Sequence, residues 1–287
     1  MVFFSSPRSI LSMDLSHSMT GPGYIDAHVH LRDAVGLADA GTAGVVSVRD
    51  AGTKDGAGLR ISGPDTTTAV SAGWALCKRG GYGSLFGVPI DSREQIADEI
   101  QKLKKAGAGI IKVIASGMVS LKRTGEVTGG GFDRDELRFI VETARKNGLE
   151  VMAHANGEAA IMNAAEAGVR SVEHGFFMTE QALNSLHANG VFWVPTVGAL
   201  QRAAEQPDIG REVKLFVERT IDEHLALVRK AFERGIPLAV GTDAVLPERR
   251  YRSFYEAELT YLLRAGIPRD AVIAIACEGG KKLIEPK

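Results

Sequence analysis

The sequence predicts an α/β protein whose parallel strands close into a (β/α)8 TIM barrel. Three observations point there. Short apolar runs alternate with helix-period segments along the chain, and eight such runs follow one another, the number a closed barrel needs. Several are continuously apolar, such as Ile110-Ile111 and Val191-Phe192-Trp193-Val194, as parallel strands covered on both faces require. No GxGxxG follows the first run, which weighs against an open dinucleotide-binding sheet.

The first candidate strand is Tyr24-Ile25-Asp26-Ala27-His28-Val29-His30-Leu31. Its alternation places Asp26, His28 and His30 side by side on one face. Taken alone, such a face is a solvated edge; inside a barrel it is the interior. The next candidates are Val45–Asp50, Trp74–Lys78, Ile110–Ser116, Glu150–Ala155, Ser171–His174, Val191–Val197 and Pro237–Asp243.

Helices with readable ends lie between them. Asp91-Ser92 precedes a helix over Arg93–Lys105, Asp133 precedes one carrying Leu137, Ile140 and Val141, and Thr179 precedes one closed by Gly190. Longer segments run from about Arg211 to Gly235 and from about Ser253 to Gly266. A Ser, Thr or Asp at the start and Gly past the end is the asymmetry that helix ends impose. Glycine-rich stretches at Gly52–Gly63 and Gly117–Gly131, and the stretch Val245–Arg252, are expected as active-site loops.

Composition narrows the function. The 287 residues are 45% hydrophobic and 24% charged with a formal net charge of −1, values of an ordinary globular protein. There is no Lys/Arg block to bind nucleic acid or an anionic membrane, so a small-molecule substrate is expected. Cys77 and Cys277 have no metal-ligand spacing, and reduced thiols in a cytoplasmic protein are the default. No stretch of about eighteen apolar residues occurs. Residues 1–22 read as a loosely ordered leader and 23–287 as one barrel domain; a homo-oligomer is left open.

Polar residues gather at strand ends, the reaction end of such barrels. The first strand offers His28 and His30, the fourth Lys112, the fifth His154, the sixth His174 and the eighth Asp243. Each has a bland explanation: a hydrogen-bonded rim histidine, a snorkelling lysine, a turn-capping aspartate. Together they are harder to dismiss, because a buried lysine without a partner is costly. Four imidazoles with an anionic ligand suit a borderline divalent metal such as zinc. Desolvation favours a neutral lysine amine, which can add carbon dioxide to form a bridging carbamate. Glu173, beside His174, is expected to face outward to a helix.

The motifs Gly23–Leu31, Val48-Arg49-Asp50-Ala51-Gly52, Ile111–Gly117, Ala153-His154-Ala155, Glu173-His174-Gly175 and Gly241-Thr242-Asp243-Ala244 resemble the amidohydrolase superfamily of metal-dependent hydrolases. Within it the sequence is most similar to the imidazolonepropionase-like and Xaa-Pro dipeptidase-like branch. The resemblance implies two divalent metal ions, most commonly zinc. His28, His30 and Asp243 would hold one, His154 and His174 the other, with N-carboxylated Lys112 and a hydroxide bridging them. The mononuclear deaminases of the superfamily carry a glutamate three residues after the fifth-strand histidine; here that position is Gly157, and Glu158 comes one residue late.

That resemblance implies hydrolysis of an amide, as in an N-acyl amino acid or dipeptide, with Asp243 as general acid–base. A lactone or cyclic amide is the second substrate class, and a metal-stapled barrel without activity is the rival of another kind. Tyr82 is either a substrate hydrogen-bond donor or an aromatic packed across its glycine turn. Arg249, Arg250 and Arg252 are either a solvated basic loop or a carboxylate receptor. Arg49 is expected to support the site by pairing with Asp26. His17, His187 and His224 are expected at the surface or in packing, and Trp74 and Trp193 in the core. Most relatives of the branch add a β-sandwich; the sequence suggests a barrel without it, or part of a longer chain.

Overall fold

The structure, a computed structural model, describes residues 23–61 and 67–285. The expected leader, with His17 in it, and residues 62–66 after the second strand lie outside that range. Strand β1 (Tyr24–Leu31) is flanked by β2 (Val45–Asp50) and then β3 (Thr68–Ser71) on one side, and by β10 (Ala244–Leu246) on the other. A second sheet runs in the order β5 (Gly87–Ile90), β4 (Ala75–Lys78), β6 (Ile110–Ile114), β7 (Glu150–Ala155), β8 (Ser171–His174), β9 (Phe192–Val194). All these ladders are parallel.

The two sheets meet at both edges. β3 and β4 are halves of one bent strand: the first pairs with β2, the second with β6. At the other edge Trp193 N donates to Pro237 O and Ala239 N to Trp193 O, while Ala27 N donates to Val240 O and Asp243 N to His28 O. Residues 237–243 thus fill the gap between β9 and β1. Eight strand positions ring the interior, as in a (β/α)8 barrel.

Three expected strands differ in detail. The third begins earlier than Trp74, because Thr68–Ser71 pair with β2. The seventh stops at Val194: Pro195 has no amide to donate, Thr196 adopts φ 47, and Val197 already opens helix α6 (Val197–Ala204). The eighth, Pro237–Asp243, is a seam that bonds alternately to β9 and β1, with one bridge at Leu238. Regular pairing with β1 resumes only at β10.

The expected helix ends are present. Asp33 caps α1 (Ala34–Thr42) and Ser92 caps α2 (Arg93–Lys105). Asp133 and Glu136 form a reciprocal capping box on α3 (Arg134–Lys146), which satisfies two amides that helix geometry leaves over. Thr179 caps α5 (Glu180–Asn189), which follows α4 (Glu158–Ala167). The long α7 (Arg211–Glu233) and α8 (Tyr251–Arg264) precede α9 (Arg269–Ala274) and α10 (Gly280–Ile284).

The main core lies between strands and helices, and Trp193 is fully buried in it. Trp74 is half-buried, its indole nitrogen donating to Glu99 at 3.1 Å. Leu283 of α10 joins Ala27, Phe192, Val194 and Ala239 in a separate small cluster. No helix among the described residues is long and apolar enough to cross a membrane.

Candidate metal centre

The first strand does not alternate throughout. Its pairing with β2 slips between Asp26 and Val29, an irregularity that lets neighbouring residues change sides. Asp26 consequently leaves the histidine face. It accepts from Tyr251 of α8 at 2.9 Å and from the Thr242 hydroxyl at 2.7 Å. Burial pushes its carboxyl up to about 6 against those hydrogen bonds. The expected Arg49–Asp26 pair is therefore absent.

Arg49 reaches across the interior from β2 to β8. Its Nε donates to Ala27 O at 2.7 Å, Nη1 to Ser171 Oγ at 2.9 Å and Nη2 to Glu173 Oε1 at 2.8 Å. Glu173 is fully buried rather than turned to a helix, which corrects the sequence expectation. The cause is local: His174 sits at φ 66, breaking the alternation that would have separated the two side chains. Gly175 was the sign in the sequence of a turn there. Burial would raise the Glu173 carboxyl, but Arg49 and His28 outweigh it and hold it near 2.

Each candidate histidine has one ring nitrogen tied down. His28 Nδ1 pairs with Glu173 Oε2 at 2.7 Å and His30 Nδ1 with Gly52 O at 2.6 Å. His174 Nδ1 meets Thr196 Oγ1 at 2.7 Å, and His154 Nε2 meets Gly117 O at 3.0 Å. Gly52 presents its carbonyl through φ 93, where a side chain would also strike Gly73 O at 2.7 Å. The rings cluster, with centroids 4.5 Å apart for His154–His174 and 5.1 Å for His28–His174. Burial and then the Lys112 charge lower His28 to about 4 and His154 to about 3, so neutral imidazoles are favoured.

Asp243 closes the set. Its Oδ1 lies 3.4 Å from His28 Nε2 and 3.2 Å from His30 Nε2. Among the described residues, these three form the group whose ligand atoms all lie within 4.8 Å of one another. With both Nδ1 atoms facing Glu173 and Gly52, the two Nε2 atoms are the ones turned toward the Asp243 carboxylate. A cation is what such a convergence accommodates. Buried Lys112 Nζ has no hydrogen-bond partner among the described residues, and burial pushes it down to about 8. These donors fit a divalent metal, and the orphaned amine fits conversion to a carbamate.

The strain is concentrated here. His174, Thr196 and Asp243 all occupy left-handed backbone conformations, at φ 66, 47 and 53, which cost β-branched and bulky residues most. Thr196 and Asn156 were missed in the sequence. Asn156 Nδ2 donates to Gly117 O at 3.2 Å, and its Oδ1 accepts from Phe176 N at 3.0 Å. No spacing signal marks either residue.

Above these residues opens a cavity of about 520 Å³. Tyr82 lines it and packs on His154 at 5.0 Å between centroids. The loop after β6 contributes to it as expected; of the expected loop Val245–Arg252 only Val245, which belongs to β10, lines it, and Arg249, Arg250, Arg252 and the described residues of Gly52–Gly63 do not. Arg250 stacks over Phe254 instead. Glu158 is exposed on α4, His187 is exposed in the last turn of α5, and buried His224 packs on Phe176 and Trp193.

Residues 19–285 match the family model described as Amidohydrolase family. An ochratoxinase of Aspergillus niger is 29% identical over 210 residues, covering 64% of this chain and 43% of that protein; the chain thus spans less than half the length of this curated relative. An uncharacterized protein of Mycobacterium tuberculosis is 25% identical over 270 residues, 89% of this chain and 72% of its own. Among solved structures, a Xaa-Pro dipeptidase with bound methionine superposes with a TM-score of 0.76 at 23% identity, covering 92% of this chain and 75% of that one. At that identity the likeness concerns the fold.

Proposed function

The chain belongs to the amidohydrolase family, and we propose that its strand-end residues form a binuclear metal centre that hydrolyses an amide in a small-molecule substrate. The observation that carries this reading is the convergence of His28 Nε2 and His30 Nε2 on one Asp243 oxygen, at 3.4 and 3.2 Å. His28, His30 and Asp243 would hold one metal. His154 and His174 would hold the second, through Nδ1 and Nε2 respectively, the ring nitrogens not bonded among the described residues. Lys112 Nζ would add carbon dioxide and release a proton, giving an anionic carbamate between the two. The donor set of imidazoles and carboxylates suits zinc.

When bound, the metals supply acidification of a water and polarisation of the scissile carbonyl. The remaining work belongs to side chains. Asp243 takes the proton of the attacking water and returns it to the departing amine nitrogen, a transfer its partial exposure to the cavity permits. The Tyr82 phenol, held protonated by burial, donates to the carbonyl oxygen as charge develops there. Glu173 and Gly52 fix the His28 and His30 rings so that their Nε2 atoms stay aimed at the site.

Metal analysis of protein grown with zinc and bicarbonate, beside a screen of amides, dipeptides and lactones, tests the reading. Between one and two equivalents of metal with amide turnover is expected. Fewer than about half an equivalent with no turnover in any class overturns it.

A further inference from the structure

We infer that the cavity takes a neutral amide with a bulky apolar group on each side of the scissile bond and no carboxylate beside it. This rests on the hydrolytic reading above and departs from the N-acyl amino acid expected from the sequence. The volume of about 520 Å³ is that of a small-molecule site. Its walls are apolar on several sides of the polar floor. Phe86 stacks on His30 at 4.7 Å and Tyr82 packs at a tilt against His154 at 5.0 Å; Leu121, Phe176, Leu200 and Val245 come from four further segments.

The charges are as informative as the walls. Among the described residues no arginine lines the cavity, and its lining lysines are Lys112 at the floor and Lys122. Lys122 is exposed, so its ammonium stays in water. Arg202, on the helix that supplies Leu200, turns away from the cavity. Its guanidinium donates to Thr242 O at 2.5 Å and lies 4.3 Å over the Phe254 ring. Residues 62–66 contain no Lys or Arg.

Of the neutral polar groups in the lining, Tyr82 is reserved above for the substrate carbonyl, and three others already bond within the protein. The Ser120 and Thr128 hydroxyls accept from Arg123 N and Met118 N, and both ends of the Asn156 amide are bonded within the protein. A carboxylate next to the reacting bond would lose water and gain no forked donor in return. Two lining residues carry the apolar surface outward: Met118 is 46% exposed and Val245 38%. Large apolar side chains grouped at one opening suit a ligand that extends beyond the cavity.

The test compares N-(phenylacetyl)phenethylamine with N-(phenylacetyl)phenylalanine, which differ only in the carboxylate. Binding to the metal-loaded chain is measured by calorimetry, and kcat/KM is measured separately. The neutral compound should bind at least about tenfold more tightly, with the ratio unchanged in Lys122→Ala. Equal or tighter binding of the acid overturns the inference, as does a preference for the acid that Lys122→Ala removes. Binding of neither compound at about millimolar concentration overturns it as well. Tighter binding of the neutral compound without cleavage of either upholds the ligand class and defeats the hydrolytic reading instead.

Discussion

Glu173 and His28 form a carboxylate–imidazole pair inside the barrel, with Oε2 and Nδ1 2.7 Å apart, while the other Glu173 oxygen meets Arg49 at 2.8 Å. One buried carboxylate therefore neutralises a buried guanidinium and sets the tautomer of a candidate metal ligand. Its removal is expected to act on both. Glu173→Ala should cost about 3–5 kcal/mol of stability because Arg49 is left buried and unpaired. Metal affinity should fall about 10–100-fold as His28 loses its orientation. Urea unfolding of the metal-free chain and chelator competition measure the two effects separately. A stability loss under about 1 kcal/mol would contradict the pairing.

Lys112 behaves in the opposite way. Its buried amine has no hydrogen-bond partner among the described residues, so the metal-free Lys112→Met variant should be at least as stable as the parent, within about 1 kcal/mol. The same variant should lose about half of its bound metal and nearly all turnover. Elemental analysis and thermal unfolding on one preparation suffice. A large drop in metal-free stability would mean that the lysine has a structural partner after all.

Asp243→Asn keeps an oxygen donor but cannot take a proton. Turnover should fall by about 10²–10⁴-fold, with metal content largely retained. Unchanged kcat would remove Asp243 from the proton path.

Glu258 of α8 supplies a pH dependence away from the metal-binding residues. Its two oxygens accept from Val197 N at 3.0 Å and Gly198 N at 2.7 Å at the start of α6, yet burial outweighs these bonds and pushes its carboxyl up to about 8 from 4.5. Between those values the folded chain keeps a proton that the unfolded chain releases. The group's contribution is therefore fully present below about pH 4.5 and is lost as pH rises through about 8. Glu258→Gln cannot titrate. Its stability deficit relative to the parent should shrink between about pH 5 and pH 8.5, at up to about 1.4 kcal/mol per unit. Denaturant titrations across that range give the sign; a deficit that grows with pH would show the carboxylate to be ionised.

The candidate ligands were legible because barrel geometry sends strand ends to one mouth whatever the details of pairing. His28, His30, Lys112, His154, His174 and Asp243 all line one cavity. Their supports were not legible in the same way. Alternation assigns faces correctly only while the backbone stays extended, and it fails at the slip after Asp26 and at the left-handed His174. Those two departures moved Asp26 out of the cluster and brought Glu173 in. The first half of the bent third strand was not legible because Ser71 and Gly73, the latter at φ 70, break the apolar run before Trp74. Thr196 follows a proline inside the expected strand Val191–Val197, a position that sequence alone reads as extended backbone rather than left-handed.

The seam between β1 and residues 237–246 has a consequence for biosynthesis. Asp26 and Thr242, bonded across it, are 216 residues apart in the chain. At about 5–20 residues per second, a ribosome needs on the order of 10–40 s to make the second after the first. During that interval β1 has its β2 neighbour available but an open edge on the other side, where a nascent chain is vulnerable to pairing with another. The consecutive pairs from β6 to β9 can form as each strand emerges. A nascent barrel would thus acquire its middle early and its first strand's second neighbour last, with chaperone demand concentrated on the residues that carry His28 and His30.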